Sequence, residues 1–458
     1  MVFITVRIHP FPFRTRKLSS LVPTILGWRR PGKIGIRQHN LNLNTSYLGL
    51  KHSSIAQPVE HAAVNRRVVG SSPTWGARQK VRLISGFLFL TLCVIMAMNM
   101  QKERHGKQAM RDLLLLSKDI PIAKIIGGAL EPIDAARLPL FLKRTGDALA
   151  WLESRAIDGH RTNSRLLKRA LRLEHKDDLT TVLAVNAATI TDNFWVKPIE
   201  DTDTQYDDIR FRANLFDKLA LTGDVNSFDQ PPSRTPELTN TGSFEKCWRL
   251  EDGEWWMYKA GKQEELFSEL LAFKIGEALG LPMAEYKADG AFIKSRDFTD
   301  NARIDFEPAI SIIGDEPNYI KIYDTLRAVD ESIAEQYVMM CYFDGLIYNM
   351  DRHEHNFGIL RDNDTGEILS LAPFFDHNIS LISRGYPIRT PNDALISDFT
   401  ALLRHTNKPL QVHMLSEREL LSLTKDIPFE PPATEEVPQP REFVARYLIS
   451  RQRALTER

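Results

Sequence analysis

Residues 348–378 read YNMDRHEHNFGILRDNDTGEILSLAPFFDHN, and no other stretch of the chain narrows the choice of fold so far. Two apolar runs, Phe357–Leu360 and Ile368–Leu371, are joined by a turn at Asp364-Thr365-Gly366, the pattern of a strand pair. Asp351 and Asn356 lie five residues apart on a short polar loop before it, and Asp376 follows the second run. The loop is fed by Ser332 to Tyr348, the longest strongly apolar helix pattern, with Ile333, Tyr337, Met340, Cys341, Leu346 and Ile347 prominent. A buried helix running into Asn349-Met350-Asp351 is a rigid post, and a catalytic base has to be held close to its productive geometry.

Two carboxylates and an amide oxygen in this order suit phosphoryl transfer. That chemistry uses a carboxylate beside the attacking hydroxyl and hard oxygen ligands that hold Mg²⁺ against the phosphates. The order Asp-Arg-His-x-x-Asn, a strand pair, then Leu-Ala-Pro-x-x-Asp resembles the HipA-like serine/threonine kinases rather than eukaryotic protein kinases, which read His-Arg-Asp. The resemblance implies Asp351 as catalytic base, Asn356 as a metal ligand and Asp376 as the main Mg²⁺ ligand. His377-Asn378 stands where many kinases have Phe-Gly, a departure that touches the hydrophobic activation switch. The bland reading is a polar turn at DRHEHN with Asp376 as an N-cap. His353, His355 and His377 beside Asp351 invite a metalloenzyme reading, but their spacing fits no common zinc pattern such as HExxH.

Upstream, residues 226–243 are rich in Pro, Ser, Thr, Asn and Gly and read as a loop. Cys247–Leu250, a turn at Glu251-Asp252-Gly253, and Trp255–Lys259 then form a hairpin signal. A polar loop, a strand, a turn and a strand ending in Lys is how kinase-type nucleotide sites begin: backbone N–H groups cover the phosphates and the Lys neutralises them. Thr239, Asn240, Thr241, Gly242 and Ser243 are the expected phosphate loop and Lys259 the phosphate-contacting residue. A lone strand Lys is by itself more often a solvated edge residue. Glu264 to Leu281 reads as an amphipathic helix through Leu266, Leu270, Phe273, Ile275 and Leu279, with Gly280 suited to ending it. The family resemblance implies that Glu269, in Ser268-Glu269, pairs with Lys259; the bland reading is a solvated Glu. Ala291 to Phe298 reads as a strand carrying a hinge for the adenine at Lys294–Asp297.

The 59 Lys and Arg balance 59 Asp and Glu, but unevenly. The first hundred residues carry 14 basic side chains and one acid, Glu60, a net +13, which leaves −13 for the rest. Leu83 to Met98 is an apolar run of about 16 residues, short of the roughly 20 a membrane span needs and closer to a signal-peptide core. Another reading fits residues 56–77 better. Gly70-Ser71-Ser72-Pro73 back-translates to the TΨC-arm consensus of a tRNA gene, and Gln57 to His61 to a D-arm-like sequence. The leader, residues 1–99, is therefore expected to be a translated tRNA-like segment, with the start at Met96, Met98 or Met100. The competing readings are a targeting anchor and a basic nucleic-acid arm.

Cys93, Cys247 and Cys341 lie far apart without ligand spacing, which indicates neither a disulfide framework nor a zinc knuckle and makes a reducing, cytoplasmic setting the default. From Met110 a short, edge-like hairpin is predicted with its turn at Lys118-Asp119, then helices over Leu138–Arg155 and Asn163–Leu173. At the other end a Pro-rich linker, Pro428 to Pro440, precedes an Arg-rich helix, Phe443 to Leu455, whose arginines are expected on a solvated face.

The resemblance implies an α+β, two-lobed, protein-kinase-like fold with a mostly helical C-terminal lobe. Its expected parts are an N-terminal α+β segment at 100–230, a nucleotide-binding lobe at 231–300 and a catalytic lobe at 301–458. It implies ATP and Mg²⁺, transfer of the γ-phosphate to a Ser or Thr hydroxyl on a protein, and an antitoxin-like regulatory partner. Neither nucleic-acid binding by the kinase core nor a membrane is expected. Two alternatives stand beside it: a catalytically silent kinase-fold binding module, and a metal-dependent phosphoesterase using Asp351, His353, His355 and Asp376.

Overall fold

The computed structural model describes residues 111–161, 163–387 and 393–456. The basic leader, the apolar run Leu83–Met98 and the candidate starts all lie outside the described residues.

The first sheet is β1 (Leu113–Ser117), β2 (Ile120–Ile126), β3 (Ala129–Pro132) and β4 (Phe194–Pro198), antiparallel in the order β3-β2-β1-β4. The predicted hairpin is β1–β2, with Lys118 at φ 50° in its turn. It is not an edge, because β4 adds to the far side of β1. The buried Leu113, Leu115 and Leu116 that made β1 read as a strand serve both faces: the first two pack with Ile122, Trp151 and Leu152, the third with Trp195. The single helix expected over Leu138–Arg155 is two, Leu140–Thr145 and Ala148–Ser154. Gly146 takes φ 68° and Asp147 caps the second helix by accepting the Ala150 N–H at 2.9 Å.

The second sheet holds β5 (Lys246–Glu251), β6 (Glu254–Lys259), β7 (Tyr286–Asp289) and β8 (Phe292–Arg296) in the order β5-β6-β8-β7, all antiparallel. Helix α1 (Gln263–Ala278) connects β6 to β7. It is not amphipathic in place: eleven of its sixteen residues are buried, among them Glu265, Ser268 and Glu269, because it packs on β7 and β8 and also on the helix Glu417–Lys425. A carboxylate held away from water by such a helix must be met by a cation or hydrogen-bond donors, or take up a proton.

A third sheet, β9 (Ile304–Pro308), β10 (Gly358–Asp362) and β11 (Ile368–Leu371), runs β11-β10-β9. Gly358 is obligatory here, since a Cβ would stand 2.3 Å from the Glu307 carbonyl oxygen. The remaining long helices are α2 (Tyr319–Val329), α3 (Glu331–Ile347), α4 (Ala394–Thr406), α5 (Glu417–Lys425) and α6 (Pro440–Thr456). Asp330 starts α3 by accepting the N–H groups of Ser332 and Ile333, and Tyr348, at φ 56°, ends it. Packed by α2, α4, α6 and β11, α3 buries twelve of seventeen residues, as a rigid post requires. The Arg-rich α6 exposes Arg446 and Arg453 as expected but buries one arginine. Arg451 is fully buried, donating from Nε to the Gly345 carbonyl at 2.5 Å and from Nη1 to Asp393 at 2.5 Å. Among the described residues no helix is long and apolar enough to cross a membrane.

Candidate active site

The loop after α3 is built by one residue of that helix. Asp344, buried, accepts the Arg352 guanidinium through both oxygens, at 2.8 and 2.9 Å, and Asn349 Nδ2 at 2.8 Å, while its carbonyl takes the Asn349 N–H. Arg352 also donates to the Phe375 carbonyl at 2.9 Å and to the Asn356 carbonyl, so the loop and the residue before Asp376 hang on one planar group. Asn356 gives its amide N–H to the Asp351 carbonyl at 2.9 Å, which leaves its Oδ1 free to act as a ligand. The half-buried Asp351 carboxylate has no hydrogen-bond donor among the described residues. Burial raises its pKa, the nearby Asp376 charge adds to that, and His353 opposes it.

Lys259, Glu269 and Asp376 come together from β6, α1 and the turn past β11. Lys259 Nζ lies 2.6 Å from Glu269 Oε1 and 2.8 Å from Asp376 Oδ1. Burial alone would lower the lysine, but Asp376 and Glu269 hold it well above the usual ammonium range. Burial likewise pushes Glu269 up against the pull of Lys259. Asp376 is held far below the ordinary carboxylate range because Lys259 and Lys246 overcome its burial. Its backbone sits at φ 61°, and its N–H donates to the Tyr286 hydroxyl at 3.0 Å.

Residues 232–420 match the HipA-like C-terminal domain. Over this stretch the chain is similar to the HipA-like family. Among solved structures, HipA of the Shewanella oneidensis MR-1 toxin–antitoxin system, in complex with HipB and operator DNA, is 12% identical with a TM-score of 0.48, over 74% of this chain and 96% of that one. The Helicobacter pylori proinflammatory kinase CtkA is 18% identical with a TM-score of 0.32, over 46% of this chain and 94% of that one. No curated protein matches the chain.

Within the HipA-like domain the loop at 239–243 differs from its expected form. Thr239 and Asn240 are buried and turned inward, Thr239 donating to the Ala188 carbonyl at 2.8 Å and Asn240 reaching the buried Glu237 at 3.4 Å. Thr241 and Ser243 are exposed between them and β5. Gly242 has φ 102°, and a Cβ there would lie 2.4 Å from Lys246 Nζ, so the Lys246 amine sits against the loop backbone. Sequence reading missed Lys246. The β5–β6 register pairs it directly with Lys259, which puts both side chains on one face, and among the described residues no carboxylate forms an ion pair with it. Burial and the Lys259 charge push its pKa down to about 8, against Asp376. The signal was available: counting back from the Glu251–Gly253 turn pairs residue 246 with 259.

The expected hinge is displaced. Lys294 and Ser295 are ladder-paired to β6 on one side and β7 on the other, so their backbone is not free to meet a base. Only Asp297 lies past the strand, and its carboxylate closes its own turn on Thr299 and Asn301. His377 is fully buried edge-on to the Phe343 ring at 5.4 Å, with both ring nitrogens unpartnered. Burial and Arg352 drive its pKa well down, so it packs as a neutral aromatic. His353 and His355 are exposed, and among the described residues no group of three or more His, Cys, Asp or Glu is placed to hold a metal. The four-residue set of the phosphoesterase alternative is therefore not assembled.

Proposed function

We propose that this HipA-like protein is an ATP- and Mg²⁺-dependent phosphotransferase of two-lobed kinase architecture that passes the γ-phosphate to a Ser or Thr hydroxyl on a protein. The observation that carries the reading is the ionic constellation of Lys259, Glu269 and Asp376, beside an Asp351 loop that Arg352 ties to the residue preceding Asp376. The nucleotide lies between the β5–β8 sheet and the loop at the end of α3, with the catalytic part beginning near residue 301.

Asn356 Oδ1 and the ionised Asp376 are hard oxygen donors that fit Mg²⁺, which needs few protein ligands when phosphates supply the rest. Held there, it would neutralise the charge of the transferring phosphoryl group. Lys259, steadied by Glu269, meets the phosphates, and Lys246 adds a second cation on the same face. The backbone of Thr241 to Ser243 covers them. Asp351 takes the proton of the attacking hydroxyl, and its raised pKa makes it a stronger base for that step. A reducing cytoplasmic setting, supported by the buried free thiols of Cys247 and Cys341, and an antitoxin-like regulatory partner belong to the same proposal.

The test uses purified full-length chain, Mg²⁺ and γ-labelled ATP. Asp351→Asn is expected to lower label transfer about a hundredfold or more while Mg-ATP affinity by calorimetry holds. Asp376→Ala should lose both. Mild, equal effects of the two substitutions overturn the residue roles, and nucleotide binding by the wild type without any turnover overturns the enzyme in favour of a silent binding module.

A further inference from the structure

Glu237, two residues ahead of the loop, is fully buried, and its carboxylate collects four donors. Arg161 Nη2 lies at 2.6 Å, Asn214 Nδ2 at 3.0 Å, the Trp248 N–H at 3.0 Å and Asn240 Nδ2 at 3.4 Å. Arg161 and Asn214 both precede residue 232, where the family match begins. The same Arg161 nitrogen donates to the Lys246 carbonyl, and Asn214 Nδ2 also reaches the Trp248 carbonyl at 2.9 Å. β5 is an edge strand, and the Lys246 carbonyl with the N–H and carbonyl of Trp248 belong to its outward-facing alternation. Arg161 and Asn214 of the N-terminal segment, together with Glu237, therefore close this edge where another strand would otherwise pair.

We infer that the buried Arg161–Glu237 pair is a positioning device: it sets the loop Thr239–Ser243 and Lys246 against Lys259, which makes the segment 111–225 a working part of the phosphate site. This rests on the reading of that loop as a nucleotide site. Both side chains are fully buried, yet Arg161 Nε and Nη1 have no partner. A buried cation with two unsatisfied N–H groups is a poor source of stability compared with apolar packing of the same volume. What the pair does supply is placement, since its one bonded nitrogen bridges the carboxylate under the loop and the backbone of the strand that carries Lys246.

The experiment compares Arg161→Met, Arg161→Lys, Glu237→Gln and the double variant Arg161→Met with Glu237→Gln, all in the full chain. The single changes leave one charge buried and can unfold the protein. The double variant removes both charges and keeps the claim testable. Positioning requires that KM for Mg-ATP rise about tenfold while kcat stays within about threefold, with Arg161→Lys in between. It also requires that, without nucleotide, amides 239–246 exchange faster while those of β1–β4 and α3 keep their protection. A double variant with wild-type melting temperature, KM and loop exchange overturns the inference, and so does a uniform loss of protection across the whole protein. If the wild type binds no Mg-ATP, the nucleotide reading of the loop fails. Unchanged loop exchange in a folded double variant would then be the separate result that overturns the positioning claim.

Discussion

The loop that carries Asp351 and the loop that precedes β5 face the same cluster of charges, but they are supported in opposite ways. Asp344, Asn349, Arg352 and Asn356 hold most of the first within thirteen residues of sequence, with the Phe375 and Ile379 carbonyls and the Ile310 N–H adding backbone bonds from elsewhere. The second is held from far off: Arg161 is 76 residues from Glu237, Asn214 is 23 away, and Ala188 is 51 from Thr239. A self-supported loop keeps its geometry wherever its helix goes. A loop held by a distant segment moves when that segment moves.

The largest expected effect comes from breaking the local support. Arg352→Met leaves the buried Asp344 carboxylate unpaired, and losing one partner of such a pair costs about 3–5 kcal/mol. Urea unfolding should show that loss, and label transfer should vanish with Asp351 and Asp376 both intact. The double variant Arg161→Met with Glu237→Gln, which leaves no charge unpaired, should act on KM first. If it instead gave the same pattern as Arg352→Met, stability and turnover falling together, the contrast between the loops would collapse.

The same contrast explains what the sequence disclosed. Asp351 and Asn356 stand five residues apart with a local hydrogen bond between them, and Asp376 follows the strand pair that leads away from that loop, so the order of the three was legible. The Lys259–Glu269 contact was implied by the family resemblance, which sets a Ser-Glu helix beside the Lys strand, and the two residues meet at 2.6 Å. The inward turn of Thr239 and Asn240 could not be anticipated, since their partners are set by tertiary packing. Nor could the burial of Arg451, because Asp393 and the Gly345 carbonyl reach it only after α3 and α6 pack. The interior position of β1 depends on β4, some eighty residues later, and the hinge was misplaced because strand propensity does not show where β8 loses its neighbours. The break at Gly146 was the readable signal that went unused, for Gly-Asp is a helix stop followed by an N-cap.

A smaller effect tests the site where the two loops meet. Lys259→Met removes the ammonium but keeps the stem, and Glu269→Gln removes its buried partner. Each should slow label transfer, and their double variant should fall short of the summed losses by about 0.5–3 kcal/mol, as contacting residues do. Full additivity would mean that the pair acts on phosphate independently, and Glu269 would lose its place in the site.

The smallest effect separates the two lysines by pH. Lys259 is held well above the ordinary ammonium range by Asp376 and Glu269 despite its burial, so it stays charged across any assay range. Lys246, pushed down to about 8 by burial and by Lys259, is charged below that pH and loses its proton above it. Its pull on phosphate should accordingly be present near neutrality and fade in alkali. Between about pH 7 and 9 the neutral fraction of such a group goes from roughly a tenth to nine tenths, enough to raise KM for Mg-ATP by up to about tenfold. Lys246→Met should show a raised KM at pH 7 that no longer changes with pH, whereas Lys246→Arg, charged throughout, should keep the low value into alkali. A wild-type KM that is flat over the range, or a Lys246→Met profile that follows the wild type, would mean that the amine against Gly242 does not meet phosphate. The distantly held loop would then contribute backbone alone, with Lys259 the single cation of the site.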